Sequence, residues 1–134
     1  MTKIGTLGGF WSQAWAINNK GQVTGNAYTK AGGSHAFLMS PAGVLKDLGV
    51  LEKFGTSWGY GINDAGVVVG QATFGNFYRA VISTGGKIKD LNRMIPKGSG
   101  WILYEGRGIN NGGQIVCSGI RSDGTQHAFL LTPR

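Results

Sequence analysis

Small and large side chains alternate over three short segments of the chain, and each segment ends in an isoleucine. The segments read Ala14-Trp15-Ala16-Ile17, Gly59-Tyr60-Gly61-Ile62 and Gly106-Arg107-Gly108-Ile109. A period of two predicts β-strands. Glycine and alanine on one face let another backbone approach closely, which strands crowded around a common axis require.

A turn motif begins at the end of each of these strands: Ile-Asn, then Asn or Asp, any residue, and Gly. Asparagine at the first position of a type I turn bonds back to the backbone, and glycine three residues later supplies the left-handed conformation that closes a bulged hairpin. We therefore interpret the motif as structural rather than ligand-binding. The residues concerned are Asn18 and Gly21, Asn63 and Gly66, and Asn110 and Gly113.

The turn motif recurs at spacings of 45 and 47 residues, and a second motif keeps nearly the same spacing, 44 and 48. The second motif reads His35-Ala36-Phe37-Leu38, Arg79-Ala80-Val81-Ile82 and His127-Ala128-Phe129-Leu130. Repetition at a fixed period is the signature of a repeat array. We expect one all-β domain, 1–134, made of three four-stranded repeats over about 4–47, 48–90 and 91–134, with the third repeat short of residues for its last strand.

Composition agrees with many short strands and tight turns. The chain has 25 glycines, 41 % hydrophobic residues, and 14 aromatic residues, which exclude a disordered chain. No apolar run approaches the ~18 residues of a membrane span. The first residues, Met1 to Gly5, lack the apolar region of a signal peptide.

Four strands in about 45 residues are typical of a propeller blade. Three blades cannot close a ring, so we expect a homodimer that completes a six-bladed ring. The segment from Thr2 to Leu7 matches Leu48 to Leu51 at the end of the first repeat, and we expect it to supply the closing strand to the partner's last blade. A β-trefoil or β-prism formed by one chain is the alternative.

Several of these motifs together resemble the HAF-repeat family of predicted exported bacterial proteins. The match rests on Gly5-Thr6-Leu7-Gly8-Gly9, the first turn motif from Ile17 to Val23, His35 to Leu38, Lys46-Asp47-Leu48-Gly49, and the third repeat from Leu91 to Pro133. The middle repeat departs from it, with Arg79-Ala80-Val81 in place of His-Ala-Phe. The resemblance implies export and repetition, and it carries no established activity.

The net charge of +7 would attract anionic partners. The basic residues are scattered, with no run of three, so we expect a solvated surface and no nucleic-acid partner. His35, Arg79 and His127 share one position in the three repeats and are candidates for meeting an anionic ligand at one rim. Trp11, Trp58 and Trp101 precede the turn motif at different offsets, and out-of-register tryptophans are candidates for stacking on sugar or docking a protein.

No catalytic constellation stands out. Only Glu52 and Glu105, which are not repeated and lie near aromatic residues, remain as a carboxylate pair for a glycan hydrolase. Two histidines without companions do not suggest a metal site, and no cofactor is expected. The single cysteine, Cys117, stands where the other repeats have Gly25 and Gly70, so we expect a small buried residue.

The function expected from the sequence is therefore a non-catalytic binding or scaffolding module that recognises carbohydrate or an anionic cell-surface ligand. A structural, self-assembling segment of a larger exported protein is the competing reading.

Overall fold

The structure, a computed structural model that describes residues 1–134, confirms the all-β class. Eleven strands form three antiparallel sheets, in the orders β1-β2-β3-β4, β5-β6-β7-β8 and β9-β10-β11. The strands are β1 Gly8–Ile17, β2 Val23–Thr29, β3 Ser34–Met39, β4 Leu45–Asp47, β5 Thr56–Ile62, β6 Val68–Phe74, β7 Phe77–Ser83, β8 Lys89–Asp90, β9 Ile102–Ile109, β10 Ile115–Ile120 and β11 Gln126–Leu131. Each repeat thus forms its own sheet.

The third sheet has three strands, as expected for a third repeat without its fourth strand. One detail differs from the expected pattern of strands alone. A short 3₁₀ helix, Leu91–Met94, follows β8. Its first turn is capped by the Asp90 carboxylate, which accepts a hydrogen bond from the main-chain N–H of Asn92 at 2.9 Å.

Consecutive sheets pack against each other through their first strands. Strand β5 lies across β1, β2 and β3, and β9 lies across β5, β6 and β7. No packing of similar extent joins the first sheet to the third. The three sheets therefore form a stack that is open at both ends.

The small residues of the first strands lie where consecutive sheets approach most closely. A Cβ added at Gly61 would stand 3.0 Å from the Cα of Gly108, and one added at Gly106 would stand 3.3 Å from the Cβ of Val69. Both separations are tighter than ordinary van der Waals contact. The alternation seen in the sequence therefore marks the face on which one sheet meets the next.

Two hydrophobic clusters lie between sheets, and a third lies on the outer face of the first sheet. Leu48 belongs to the cluster between the first and second sheets, and Leu91 belongs to the cluster between the second and third. In the third cluster, Ile4 and Leu7 cover Phe37. Ile4 and Leu7 of the N-terminal segment thus cover the first sheet in the same way that Leu48 covers the second sheet and Leu91 the third.

The turn motifs of the three repeats lie side by side and are joined by hydrogen bonds. Gly21, Gly66 and Gly113 have φ of 81°, 79° and 81°. The side-chain Nδ2 of Asn18 donates to the main-chain O of Asn63 at 2.9 Å, and Nδ2 of Asn63 donates to the main-chain O of Asn110 at 3.1 Å. Asn18 and Asn63 thus each close their own turn and hold the next one.

A second row of hydrogen bonds runs beside the first, through the residue that follows each asparagine. The main-chain N–H of Asn19 donates to Asp64 Oδ1 at 2.9 Å, and the N–H of Asp64 donates to Asn111 Oδ1 at 2.8 Å. We call the two rows together the turn ladder, formed by positions 18–19, 63–64 and 110–111. The ladder fixes the rotation of one sheet relative to the next.

Candidate functional site

A cleft opens between the β6–β7 hairpin and the third sheet, and Arg79 lies in it. Its volume is about 350 Å³. We call it the Arg79 cleft. The lining residues are Asn76, Phe77, Tyr78, Arg79, Ile102, Tyr104, Ile120 and Gln126.

The cleft owes its aromatic wall to a tight hairpin. Phe74 and Phe77 pair directly, so only Gly75 and Asn76 form the turn, and Gly75 has the left-handed φ of 56°. In the first repeat the corresponding loop is longer and rich in glycine. The short turn brings Phe77 and Tyr78 to the rim with more than half of each side chain exposed.

The charge of the cleft is positive because Arg79 has no carboxylate partner. Its guanidinium lies 5.2 Å from the ring centre of Phe77 and 5.8 Å from that of Phe74, and Nη1 donates to the main-chain O of Tyr78 at 2.8 Å. Neither ion pair of the structure involves Arg79. On the other wall, the Tyr104 hydroxyl donates to Gln126 Oε1 at 3.4 Å.

His35 and His127 occupy the same position as Arg79 in their repeats, and neither meets it. His35 Nδ1 lies 2.9 Å and 3.0 Å from the two oxygens of Asp47. The ring of His127 stands edge-on to Trp101 at 5.4 Å between centroids. No hydrogen bond, ion pair or ring contact joins His35, Arg79 and His127 to one another.

The three candidate tryptophans lie in three separate places. Trp11 is exposed and stacks on Tyr28 at 5.0 Å, beside a groove of about 780 Å³ along the N-terminal segment. Trp58 is half-buried within β5. Trp101 is half-buried, with the Arg121 guanidinium 4.3 Å from its ring.

Of these candidates, only Trp101 and His127 are brought together. A single site containing all six residues is not formed within one chain.

Glu52 and Glu105 do not form a pair. Glu105 accepts a hydrogen bond from Ser118 Oγ at 3.5 Å and lies 3.3 Å from Arg107 Nε. Glu52 lines a different cavity of about 250 Å³, which Asp90 also lines. Asp90 accepts two hydrogen bonds from Asn92 and so serves as the cap of the 3₁₀ helix.

Cys117 is buried, and burial raises the pKa of its thiol to about 11. A thiol of that pKa is protonated at neutral pH and is a poor nucleophile. No three His, Cys, Asp or Glu side chains lie close enough to share a metal ion.

Of the residues that line the Arg79 cleft, only Arg79 is a candidate from the sequence. Tyr78, Tyr104 and Gln126 come from three strands in two sheets, and no local pattern joins them. One signal was present: the middle repeat has Phe74-Gly75-Asn76-Phe77-Tyr78 where the other repeats have glycine-rich polar loops.

Comparison with known proteins adds no homologue: no protein-family profile, curated protein or solved structure matches the chain. No helix in the structure has the length and apolar character needed to cross a membrane.

Proposed function

We propose that the chain is a non-catalytic binding module whose Arg79 cleft takes an acidic carbohydrate. One observation carries the proposal: an arginine without a carboxylate partner lies among aromatic rings in a cleft of about 350 Å³. That volume falls within the range of small-ligand sites, roughly 300–1,000 Å³.

The chemistry of the lining fits a sugar acid. Phe77 and Tyr78 offer exposed apolar area for the C–H face of a sugar ring, while the Tyr104 hydroxyl and the Gln126 amide offer hydrogen bonds to its hydroxyls. Arginine binds carboxylates through a planar fork of N–H donors. A uronic-acid oligosaccharide would use all three features at once.

Titration calorimetry with oligogalacturonate and with its neutral counterpart, an oligogalactoside, tests this proposal. We expect the acidic sugar to bind more tightly, and Arg79→Gln to remove the difference because the carboxylate then loses its cationic partner. Tyr104→Ala should weaken both sugars. Arg121→Gln is the matched control, since Arg121 lies over Trp101 and does not line the cleft.

If Arg79→Gln and the unmodified chain bind the acidic sugar with equal heats, Arg79 does not contact the sugar carboxylate. Absence of binding by either sugar would end the carbohydrate proposal.

The same proposal includes the finer architecture. We take the three sheets to be blades of a propeller, completed to six by a second copy of the chain, and we take the motifs shared with HAF repeats to indicate kinship and export. The open stack and the turn ladder support the blade interpretation. Sedimentation equilibrium tests it, because a closed ring of two chains has twice the 14.1 kDa of one and does not grow with concentration.

The turn ladder also favours the alternative of a self-assembling structural segment. Sugar binding distinguishes the two hypotheses, because a purely structural segment would form the ring and give no heat of binding with either oligosaccharide.

A further inference from the structure

The outer face of the third sheet is uncovered, and the matching face of each other sheet is covered. Val116 is 50 % exposed, whereas Val69 at the same position of the second sheet is 0 % exposed. Leu130 is 61 % exposed, whereas the matching Ile82 is 8 % exposed. Strands β10 and β11 carry no Asp, Glu, Lys or Arg. This face, formed by Val116, Ala128 and Leu130, has the character of an inter-sheet surface that lacks its neighbour.

At the opposite end of the stack, the first sheet has an uncovered surface that corresponds to the covered surface of the second sheet. Ile17 is 69 % exposed, whereas Ile62, its counterpart in the second sheet, is 8 % exposed and packs between sheets. Ala14 is exposed, and it lines the groove beside the N-terminal segment. Its counterpart Gly59 is the residue at which the second sheet meets Thr24 of the first.

The turn ladder ends with one free donor and one free acceptor in each row. At the third repeat, Asn110 Nδ2 donates only to Gln114, and the main-chain N–H of Asn111 has no recorded partner. At the first repeat, the main-chain O of Asn18 receives no side-chain donor and Asn19 Oδ1 has no recorded partner. Continuing the two rows would join Asn110 Nδ2 to Asn18 O and Asn111 N to Asn19 Oδ1.

The edge strand β11 also lacks hydrogen-bond partners that the equivalent strand of the first sheet has. In the first repeat, Ala36 N donates to Ser57 Oγ at 2.7 Å, and Ala36 O accepts from the Leu48 N–H at 2.9 Å. Ala128 holds the position of Ala36, and it has neither partner.

The residues that would serve Ala128 are found at the beginning of the chain. Ser12 holds the position of Ser57 and has no recorded hydrogen bond through its side chain, and Ile4 holds the position of Leu48. A second copy would therefore supply both missing partners.

From these four observations we infer that the outer face of the third sheet binds the first sheet and N-terminal segment of a second copy of this chain. The seam repeats the contacts between the first and second sheets, with Val116 against Ala14. The inference rests on the proposal that the sheets are blades, and it is independent of any sugar. Continuity with an interface that the chain already forms twice identifies the occupant as another copy rather than an unrelated protein.

Arg107 and Trp15 add a complementary contact to the seam. Within the chain the residues before the turn motif stack from sheet to sheet: Trp15 stands edge-on to Tyr60 at 5.4 Å, and the Arg107 guanidinium lies 4.5 Å from the Tyr60 ring. The next member of this row after Arg107 is Trp15 of the second copy. A guanidinium over an indole is a favourable cation–π pair.

A mixing experiment with two cysteine variants tests the seam at residue level. In the chain, the Cβ of Thr24 and of Val69 each lie 3.3 Å from a Cβ placed on the glycine opposite, Gly59 or Gly106. That separation is close to the 3.5–4.5 Å of a disulfide. We expect Ala14→Cys and Val116→Cys, mixed and oxidised with copper phenanthroline, to give a covalent dimer on a non-reducing gel.

Each cysteine variant oxidised alone is the control, and we expect no covalent dimer from either one, because position 14 meets position 116 and not itself. Covalent dimer from a single variant to the same extent as from the mixture would overturn the head-to-tail register. Absence of covalent dimer from the mixture would overturn the seam.

Leu130→Asp provides an independent test. Leu130 is exposed in the single chain and would be covered in the seam, so the substitution places a charge in the interface without disturbing the fold of the chain. We expect its dimer dissociation constant to rise at least about tenfold, with an unchanged melting profile for the dissociated chain. Phe77 in the Arg79 cleft is an apolar residue that is also more than half exposed, and Phe77→Asp should leave the dimer intact. An unmodified chain that stays monomeric at high micromolar concentration would contradict the inference.

The outcomes separate the seam from the proposed function. Cross-linked dimer without sugar binding removes the carbohydrate proposal and leaves the seam. Cross-linking within polymers of growing mass supports the seam and removes the closed six-bladed ring.

Discussion

Asn18 and Asn63 hold the same position in successive repeats, and the side chain of the first donates a 2.9 Å hydrogen bond to the main-chain oxygen of the second. Asn18 also accepts, through Oδ1, from the N–H groups of Lys20 and Gln22 in its own turn. One carboxamide therefore shapes a turn and fastens it to the next. The strict recurrence of asparagine in the motif follows from this double use.

Asn63→Ala should lower the free energy of unfolding by about 1–3 kcal/mol. The substitution leaves the Val67 N–H without its partner, and the Asn110 carbonyl keeps only its hydrogen bond from the Gly113 N–H. Asn63 is buried, so the lost hydrogen bonds are not replaced at no cost by water. Urea denaturation followed by tryptophan fluorescence measures the change. Asn76→Ala in the exposed β6–β7 turn is the control, and a loss there as large as at Asn63 would argue against a special role for the ladder.

Gly70→Ala should destabilise the fold by about 1–3 kcal/mol, because a Cβ at this position would overlap the main-chain O of Trp58 and force the first two strands of the sheet apart. Gly86→Ala should have little effect, since no atom lies within 4 Å of its added Cβ. Thermal unfolding by circular dichroism compares the two. Similar melting temperatures for both variants would show that the strand pair can widen freely.

Acid should weaken the turn ladder through Asp64. Hydrogen bonds from the side chain and main chain of Asn19 are the main cause that holds the pKa of Asp64 below its ordinary value of 3.8. A carboxyl group with a depressed pKa contributes stability above the unfolded value, and that contribution is lost as pH falls through the folded value. Asp64→Asn should therefore flatten the dependence of melting temperature on pH below about 4.

Glu52→Gln is the control for that titration, because Glu52 is exposed and its only hydrogen bond is accepted by its main-chain oxygen from the Gly55 N–H. A pH dependence below 4 that is the same in Asp64→Asn and the unmodified chain would assign the acid sensitivity to other carboxylates.

Cys117 should react with Ellman's reagent only when the third sheet opens. The thiol is buried with a pKa of about 11, so the native chain offers almost no accessible thiolate at pH 8. We expect slow labelling in buffer and complete labelling in denaturant. Thr84→Cys, in the exposed β7–β8 turn, provides the fast reference, and equal rates at the two positions in buffer would contradict the buried setting.

The sequence predicts the repeated part of this fold well because its signals are local. Alternating small and large residues, the Ile-Asn turn and its glycine each report on a few neighbouring residues, and together they identify the strands within each repeat. The Arg79 cleft was not predictable in this way. Tyr78 and Tyr104 line the cleft from two different sheets, and which faces of two sheets meet depends on the packing of the whole stack.

The separation of the three tryptophans has the same cause. Their offsets from the turn motif differ, and the structure places Trp11 in β1, Trp58 in β5 and Trp101 just before β9. Residue type alone made them candidates, and it carries no information on where they lie relative to one another. For the N-terminal segment, in contrast, a local sequence pattern does indicate which surface it contacts. Its likeness to Leu48–Leu51 is visible in the sequence, and Ile4 and Leu7 do form a hydrophobic cluster with the first sheet.

The turn ladder has a consequence for how such a gene can change length. Asn18 meets Asn63 as Asn63 meets Asn110, so a duplicated middle unit inserted in frame would find a suitable neighbour on each side without any new substitution. Deletion of that unit would likewise place Asn18 beside Asn110 and Asn19 beside Asn111, which are the same residue types. Unequal recombination between copies would therefore preserve the ladder at the point of joining, and a change in the number of units would need no compensating substitution within it.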